Sequence, residues 1–181
     1  ENSIIYHKFD DYSRISLILS VMDQKPTIPI DYQTGLKKAE AYCAYQERSQ
    51  YEVRGKLISL GIYHEDLENI ILSLIENNFI NEERFAKAYA QGKFRIKEWG
   101  KLKIKQGLKF KQISPPLIKK ALDHINKEEY LLTLEKILSK KIDFNVKKTD
   151  LKTKNKAIQY ALGRGFESDL IFFLLKTKGL S

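Results

Sequence analysis

The chain has 181 residues, of which 43% are hydrophobic and 30% charged, a composition that suits a folded protein and argues against general disorder. Its net charge of +9 is uneven: residues 1–80 carry a net −4, residues 81–125 a net +8 and residues 126–181 a net +5. No apolar run is long enough for a membrane span, no secretory signal is recognisable, although residue 1 is not Met, and the single Cys43 excludes an internal disulfide. We therefore expect a cytoplasmic protein that does not enter a membrane.

Residues 1–33 do not follow the pattern of the rest of the chain. Apolar and polar residues alternate weakly over residues 15–22, as in a strand, and Pro26 and Pro29 interrupt whatever precedes them. We treat residues 1–33 as an N-terminal leader to which the sequence assigns no structure.

From Thr34 onward the chain repeats itself three times. Three apolar pairs recur whose members lie five positions apart: Leu57 and Ile62, Leu108 and Ile113, Ala161 and Phe166. Successive pairs are offset by 51 and 53 residues, a period typical of an array of similar helical units. Such arrays offer a long surface to a partner, so the repeat favours a binding protein over an enzyme with a pocket.

Helix signals place the elements of the first unit, residues 34–80. The segment Ser49–Glu52 has the pattern of a capping box, and Gly61 is placed to end that helix in a left-handed conformation. We predict that the helix buries Val53, Leu57, Ile58 and Leu60, and that the next one buries Leu67, Ile70, Ile71, Leu74 and Ile75.

The second unit, residues 81–125, and the third, residues 126–181, show the same signals. Asn81 is predicted to cap a helix, another helix spans 99–110, and Ser114 precedes a helix with proline in its first turn. The second unit's aromatic residues Phe94, Trp99 and Phe110 are interpreted as core rather than as base-stacking platforms. In the third unit, residues 142–154 are predicted to be a polar connection. The prediction is an all-α protein of nine helices in three tandem, helix-turn-helix-like triplets.

The sequence offers no recognisable catalytic centre. It has no glycine-rich phosphate loop, and His7, His64 and His124 lie far apart without the spacing of metal ligands. Cys43 lies on an apolar stripe, which predicts a core thiol rather than a nucleophile. We predict no catalytic residue, no cofactor and no metal site.

The basic residues of the second unit are its most informative feature. Lys97, Lys101, Lys105 and Lys109 recur every four residues, which predicts one row along a helix. Further charge comes from Lys93, Arg95, Lys103 and Lys111. Such a row suits phosphates or a carboxylate-rich groove, and the alternative is a solvated, solubilising surface. A sequence-reading helix-turn-helix would instead concentrate base contacts on its recognition helix, and these lysines belong to a different helix.

Several motifs resemble those of the RecX family, in the form of its Bacteroidetes-type members. They are Ala41–Ser49 with Glu52-Val53-Arg54, Asn77–Ala86, Lys93-Phe94-Arg95 with Trp99-Gly100-Lys101 and Ile104-Lys105, and Ala161–Glu167. Individually these motifs are modest, but their order and spacing are specific. The resemblance extends from about Leu36 to Leu175.

The resemblance implies a curved, elongated, all-helical molecule of three three-helix repeats that regulates the RecA recombinase. It implies binding in the groove of the RecA–single-stranded DNA filament, which would limit ATPase activity, strand exchange and filament growth. It would thereby regulate DNA repair, recombination and the SOS response. RecX proteins have no known catalytic centre.

We expect the filament or DNA to meet the basic residues of the second unit, and we expect a monomer that meets single-stranded DNA directly or within the filament. The expected contacts are Lys93, Arg95, Lys97, Lys101, Lys103, Lys105, Lys109 and Lys111, with secondary contacts at Arg48, Arg54, Lys56 and Arg164. Three alternatives stay open: a stand-alone helix-turn-helix DNA-binding protein or transcription regulator, a structural helical adaptor with solvated lysines, and an enzyme with an unrecognised site.

Overall fold

The computed structural model describes residues 30–144 and 150–180, and within these ranges the chain forms nine helices and no strand. The helices are α1 (Tyr32–Tyr45), α2 (Gln50–Ser59), α3 (His64–Glu76), α4 (Glu82–Lys97), α5 (Lys101–Phe110), α6 (Pro115–Asp123), α7 (Lys127–Ser139), α8 (Leu151–Gly163) and α9 (Ser168–Thr177). The predicted all-α fold of three triplets is confirmed: the first repeat is α1–α3, the second α4–α6 and the third α7–α9. Most of the predicted leader lies outside the described residues.

Local sequence explains where several helices begin. At α2 the Glu52 amide donates to the Ser49 hydroxyl at 3.2 Å and the Ser49 amide to the Glu52 carboxylate at 3.1 Å, which completes the predicted capping box. At α4 the Asn81 side chain accepts from the Arg84 amide at 2.9 Å. Ser114 occupies the N-cap of α6 without a side-chain bond, so Pro115 supplies the main local preference there.

The five-residue spacing seen in the sequence arises because three helices end in the same type of C-terminal cap. After α2, α5 and α8 the chain enters the left-handed region at Gly61 (φ 80°), Gln112 (φ 61°) and Gly165 (φ 87°). The following amides of Ile62, Ile113 and Phe166 donate to the carbonyls of Leu57, Leu108 and Ala161 at 3.1, 3.1 and 3.2 Å. This is the Schellman motif, in which the two residues so bonded also pack together. All six are buried, so the repeat signature is a cap that also contributes to the core.

The nine helices enclose two hydrophobic cores. The first repeat has its own, centred on residues such as Val53, Ile70 and Leu74. The second and third repeats share one continuous core that runs from Phe85 to Leu180. The last two repeats are therefore fused through apolar packing, and the first is a separately packed unit.

Some core predictions were wrong, and for a common reason. Ile58 is 47% exposed, and Ile75 is also exposed, each one position after a fully buried leucine. In a three-helix unit each helix buries a narrow stripe, so a residue one position beyond that stripe points about 100° away from the core.

The predicted connection over residues 142–154 was too long. Helix α8 begins at Leu151, because the Asp150 side chain accepts from the Thr153 amide at 3.0 Å and caps it. Among the helices described, none has both the length and the apolar character needed to cross a membrane.

Candidate interaction surface

Helix α5 carries the candidate surface, and backbone contacts with the third repeat fix where it starts. The amide of Gly100 donates to the Arg164 carbonyl at 2.8 Å, and the amide of Leu102 donates to the Gly165 carbonyl at 3.0 Å. A Cβ atom at Gly100 would lie 2.1 Å from the Gly165 oxygen, so only glycine permits this approach. The first turn of α5 is thereby bonded to the turn between α8 and α9.

The buried side chain of Tyr130 also links the start of α5 to the third repeat. Its buried hydroxyl accepts the Lys101 amide at 2.8 Å and donates to the Glu167 carboxylate at 2.6 Å. Burial, and then the hydrogen bond to Glu167, raise the pKa of Tyr130, so the hydroxyl keeps its proton. One side chain thus connects α5, α7 and the start of α9.

Three of the four lysines predicted to form a row do so. Lys101, Lys105 and Lys109 follow one another along α5, while the fully buried Ile104 and Leu108 anchor its inner face. Lys105 and Lys109 are exposed and form no ion pair with any residue that the structure describes.

Lys97 is not part of this row, so that prediction was wrong. It is the last residue of α4, and Glu98 then takes a left-handed conformation (φ 51°) that ends the helix. The four-residue spacing therefore continues in sequence across a helix break and does not continue in space.

The row borders a cavity of about 380 Å³ between α5, α6 and the start of α9. Its basic side is formed by Lys101, Lys105, Lys109 and Lys119, its apolar side by Leu102, Pro115, Ile118 and Leu122, and two acidic residues, Asp123 and Glu167, complete it. The cavity can receive an anionic group against an apolar wall. Sequence reasoning missed Lys119, because its position depends on how α6 packs against α5.

Other predicted contact residues have structural partners. Lys111 pairs with Glu52 of the first repeat at 2.9 Å, and Lys103 donates to the Gly163 carbonyl at 3.1 Å. Lys93 lies over the Trp99 ring at 5.1 Å from its centroid, and Arg95 pairs with Glu129 at 3.3 Å. These four residues hold repeats and helices together, so they do not extend the α5 row as free cations.

The predicted secondary contacts are also dispersed. Arg54 forms a bidentate pair with Glu68 at 2.5 and 2.7 Å, and the Arg48 guanidinium lies 3.9 Å from the Tyr42 ring centroid. Arg164 donates to the Lys97 carbonyl at 2.7 Å and to the Tyr160 hydroxyl at 2.9 Å. Lys56 is half-buried on α2. None of these side chains joins the row on α5, although the Arg164 carbonyl accepts from the Gly100 amide just before that row begins.

The described residues offer no group of histidine, cysteine and acidic side chains that could hold a metal ion. Cys43 is buried on α1, and burial raises its pKa to about 11, so it is a core thiol as predicted. Phe94 is buried and Trp99 packs against the core, which confirms their predicted role. Phe110 is the exception, since its ring is exposed.

Comparisons with known proteins agree on one family. The model of the second three-helix domain of RecX matches residues 81–122, and that of the third matches residues 128–175. Regulatory protein RecX of Clostridium acetobutylicum is 31% identical over 150 residues, which are 81% of this chain and 69% of that protein. RecX of Lactococcus lactis subsp. cremoris is 30% identical over 138 residues, which are 75% of this chain and 51% of that protein.

Solved structures give the same answer. The crystal structure of RecX from Lactobacillus salivarius superimposes with a TM-score of 0.72 at 26% identity, covering 83% of this chain and 97% of that one. A second RecX crystal structure, at 21% identity and a TM-score of 0.68, shows the same fold over 90% of this chain. The chain spans about half the length of several curated relatives. It belongs to the RecX family of regulatory proteins.

Proposed function

We propose that this protein binds the RecA–single-stranded DNA filament through the lysine row of α5 and limits its ATPase activity, strand exchange and extension. It would thereby regulate DNA repair and recombination in the cytoplasm, as a monomer and without catalysis of its own. The observation that carries the proposal is the row itself: exposed Lys105 and Lys109, with Lys101 and Lys119 beside them, border an open cavity on a RecX-family scaffold.

The charge of the second repeat supports this partner. Residues 81–125 carry a net +8, and a local field of that sign accelerates encounter with a polyanion. A filament groove presents recombinase side chains near DNA phosphates, and each lysine–phosphate contact releases a counterion. Binding should therefore weaken steeply with salt.

The arrangement of the repeats supports an effect on the filament rather than attachment alone. Three repeats in tandem can contact more than one recombinase subunit, and a ligand that spans subunits binds some filament states better than others. The state that binds more tightly is then favoured, which is how binding would reduce ATPase activity and growth.

The stand-alone helix-turn-helix alternative has weaker support. Its recognition helices would be α3, α6 and α9, whose first residues should reach base edges. Helix α3 instead opens with Glu65 and Asp66, which phosphates repel, and α6 opens with Pro115 and Pro116, which have no donor to offer.

Charge reversal of Lys101, Lys105 and Lys109 together tests the proposal. We expect the triple variant to bind preformed RecA filaments at least tenfold more weakly, with an unchanged circular dichroism spectrum, because three phosphate-range contacts are lost. The matched control reverses Lys152, Lys154 and Lys156 on α8, which changes the net charge equally at another place. Equal losses in both variants, or none in the first, would contradict the role of the α5 row.

A further inference from the structure

The outer surface of α5 carries a second row of side chains beside the lysines. Leu102, Gln106 and Phe110 follow one another at four-residue spacing, one position after Lys101, Lys105 and Lys109. All three are exposed, Leu102 by 47% and Phe110 by 69%. Helix α5 therefore presents two parallel rows: one of lysines, and one strip formed by Leu102, Gln106 and Phe110.

The strip ends at an aromatic pair held where the first repeat meets the second. The ring of Phe110 meets that of Tyr51 edge to face, with centroids 5.8 Å apart and an interplanar angle of 66°. The ammonium of Lys111 lies 5.8 Å from the Phe110 centroid and 6.0 Å from the Tyr51 centroid, and the ion pair with Glu52 holds it there. The Phe110 ring is thus braced on one side and open to solvent elsewhere.

A braced, exposed aromatic ring next to unpaired lysines matches one ligand chemistry closely. Unpaired bases stack on aromatic side chains whatever their sequence, while the phosphates that join them are bound by cations. Gln106, between the two, can both donate and accept a hydrogen bond at a base edge. In a duplex the bases are already stacked and paired, so the ring could not reach them.

We propose that α5 binds a single-stranded nucleic acid directly, with one base stacked on Phe110 beside Tyr51 and the flanking phosphates on Lys105 and Lys109. The inference deepens the proposed function and rests on its assumption that the lysine row meets a nucleic acid. It adds a base contact, and it requires no recombinase for binding.

A protein partner fits this surface less well. The strip offers one large ring, and lysines flank it along the whole helix, so little continuous apolar area is available to an apolar anchor. Phe172 and Phe173 of α9 are also exposed, but that helix carries a single lysine, Lys176, and has no parallel basic row. Phe172 is accordingly a suitable control, an exposed phenylalanine on a helix that carries no basic row.

The test measures binding of labelled oligonucleotides by fluorescence anisotropy without recombinase. The probes are an oligothymidine, an abasic deoxyribose-phosphate chain of equal length and charge, and a duplex. We expect the protein to bind oligothymidine about tenfold more tightly than the abasic chain, the size of one base–aromatic stack. Phe110→Ala should remove this difference and leave abasic binding unchanged, while Phe172→Ala should change neither.

Three results would overturn the inference: no binding of oligothymidine, equal binding of oligothymidine and the abasic chain by the unsubstituted protein, or an unchanged preference in Phe110→Ala. Loss of filament binding by Phe110→Ala with unchanged oligothymidine binding would point instead to a protein contact and would also overturn it. An oligouridine probe distinguishes RNA from DNA as the source of the strand. The oligonucleotide measurements do not use the RecA filament or the lysine variants, so the two proposals can fail separately.

Discussion

Among single residues, Gln112 distinguishes the middle repeat from its neighbours. The equivalent left-handed positions of the first and third repeats are Gly61 and Gly165, whereas Gln112 adopts φ 61° with a side chain. For an L-residue this conformation is unfavourable by roughly 1–2 kcal/mol relative to glycine. The preceding helix, α5, is the one that carries the candidate surface.

Gln112→Gly should therefore stabilise the protein by about 1 kcal/mol, offset in part by the greater freedom of glycine in the unfolded chain. The measurement is the free energy of unfolding in urea. Gly165→Ala should instead lower the free energy of unfolding, because φ is 87° there and a Cβ atom would lie 2.3 Å from the Lys103 Cβ. A destabilised Gln112→Gly variant would show that the Gln112 side chain makes a compensating interaction.

The connections between helices also contain a titratable contact. Glu98, between α4 and α5, pairs at 2.7 Å with Lys136 of α7 and at 2.7 Å with Lys140, the residue that follows α7. The hydrogen bonds from Lys136 and then Lys140 lower the pKa of Glu98 from 4.5 to about 2. A lowered pKa in the folded state means that the unfolded state binds the proton more tightly, so this contribution to stability is present above pH 4.5 and is lost as the pH falls to about 2.

Glu98→Gln should reduce the free energy of unfolding by about 1 kcal/mol at pH 7, since it removes two charge-assisted contacts at a partly exposed site. The difference from the unsubstituted protein should shrink between pH 4.5 and 2, as measured by urea unfolding across that range. Glu76→Gln, at an exposed residue at the end of α3, is the control. A difference that stayed constant down to pH 2 would mean that packing, and not the ion pairs, is responsible.

How far the sequence predicts each helix depends on whether the determinants are local. The ends of α2, α5 and α8 were predictable because a Schellman cap and its apolar pair lie within six residues. A helix over residues 99–110 was predicted, but Glu98 takes its left-handed conformation without a glycine to indicate it, so the lysine row was extended across the break to Lys97. The exposure of Phe110 could not be predicted from the sequence either, because it depends on where the first repeat lies against α5. The lysine spacing was visible, but which lysines remain unpaired depends on tertiary contacts such as Glu52 with Lys111.

At the scale of the whole molecule, the two cores predict unequal stability. The first repeat buries a small core of its own and meets the second through polar and edge contacts, including Glu47 with Arg84 at 2.5 Å and Glu52 with Lys111 at 2.9 Å. The second and third repeats share one core and are joined by backbone hydrogen bonds. We expect the first repeat to unfold at a lower urea concentration than the other two.

Two probes can separate these events, because the only tryptophan, Trp99, packs against the shared core. Far-ultraviolet circular dichroism, which follows all helices, should begin to fall before Trp99 fluorescence changes. Raising the salt from about 0.05 to about 0.5 M should widen the gap, because the ion pairs between the first two repeats are screened. Coincident transitions at both salt concentrations would show that the three repeats unfold as one unit.

The proposed function requires that the α5 row act on a recombinase filament. The most direct test is the DNA-dependent ATPase activity of a bacterial RecA on single-stranded DNA, titrated with this protein at two salt concentrations. We predict a saturable fall in activity at sub-stoichiometric protein that weakens at the higher salt and is lost when Lys101, Lys105 and Lys109 are reversed in charge. Unchanged ATPase activity with a folded protein, or equal inhibition by the triple variant, would contradict the proposed function.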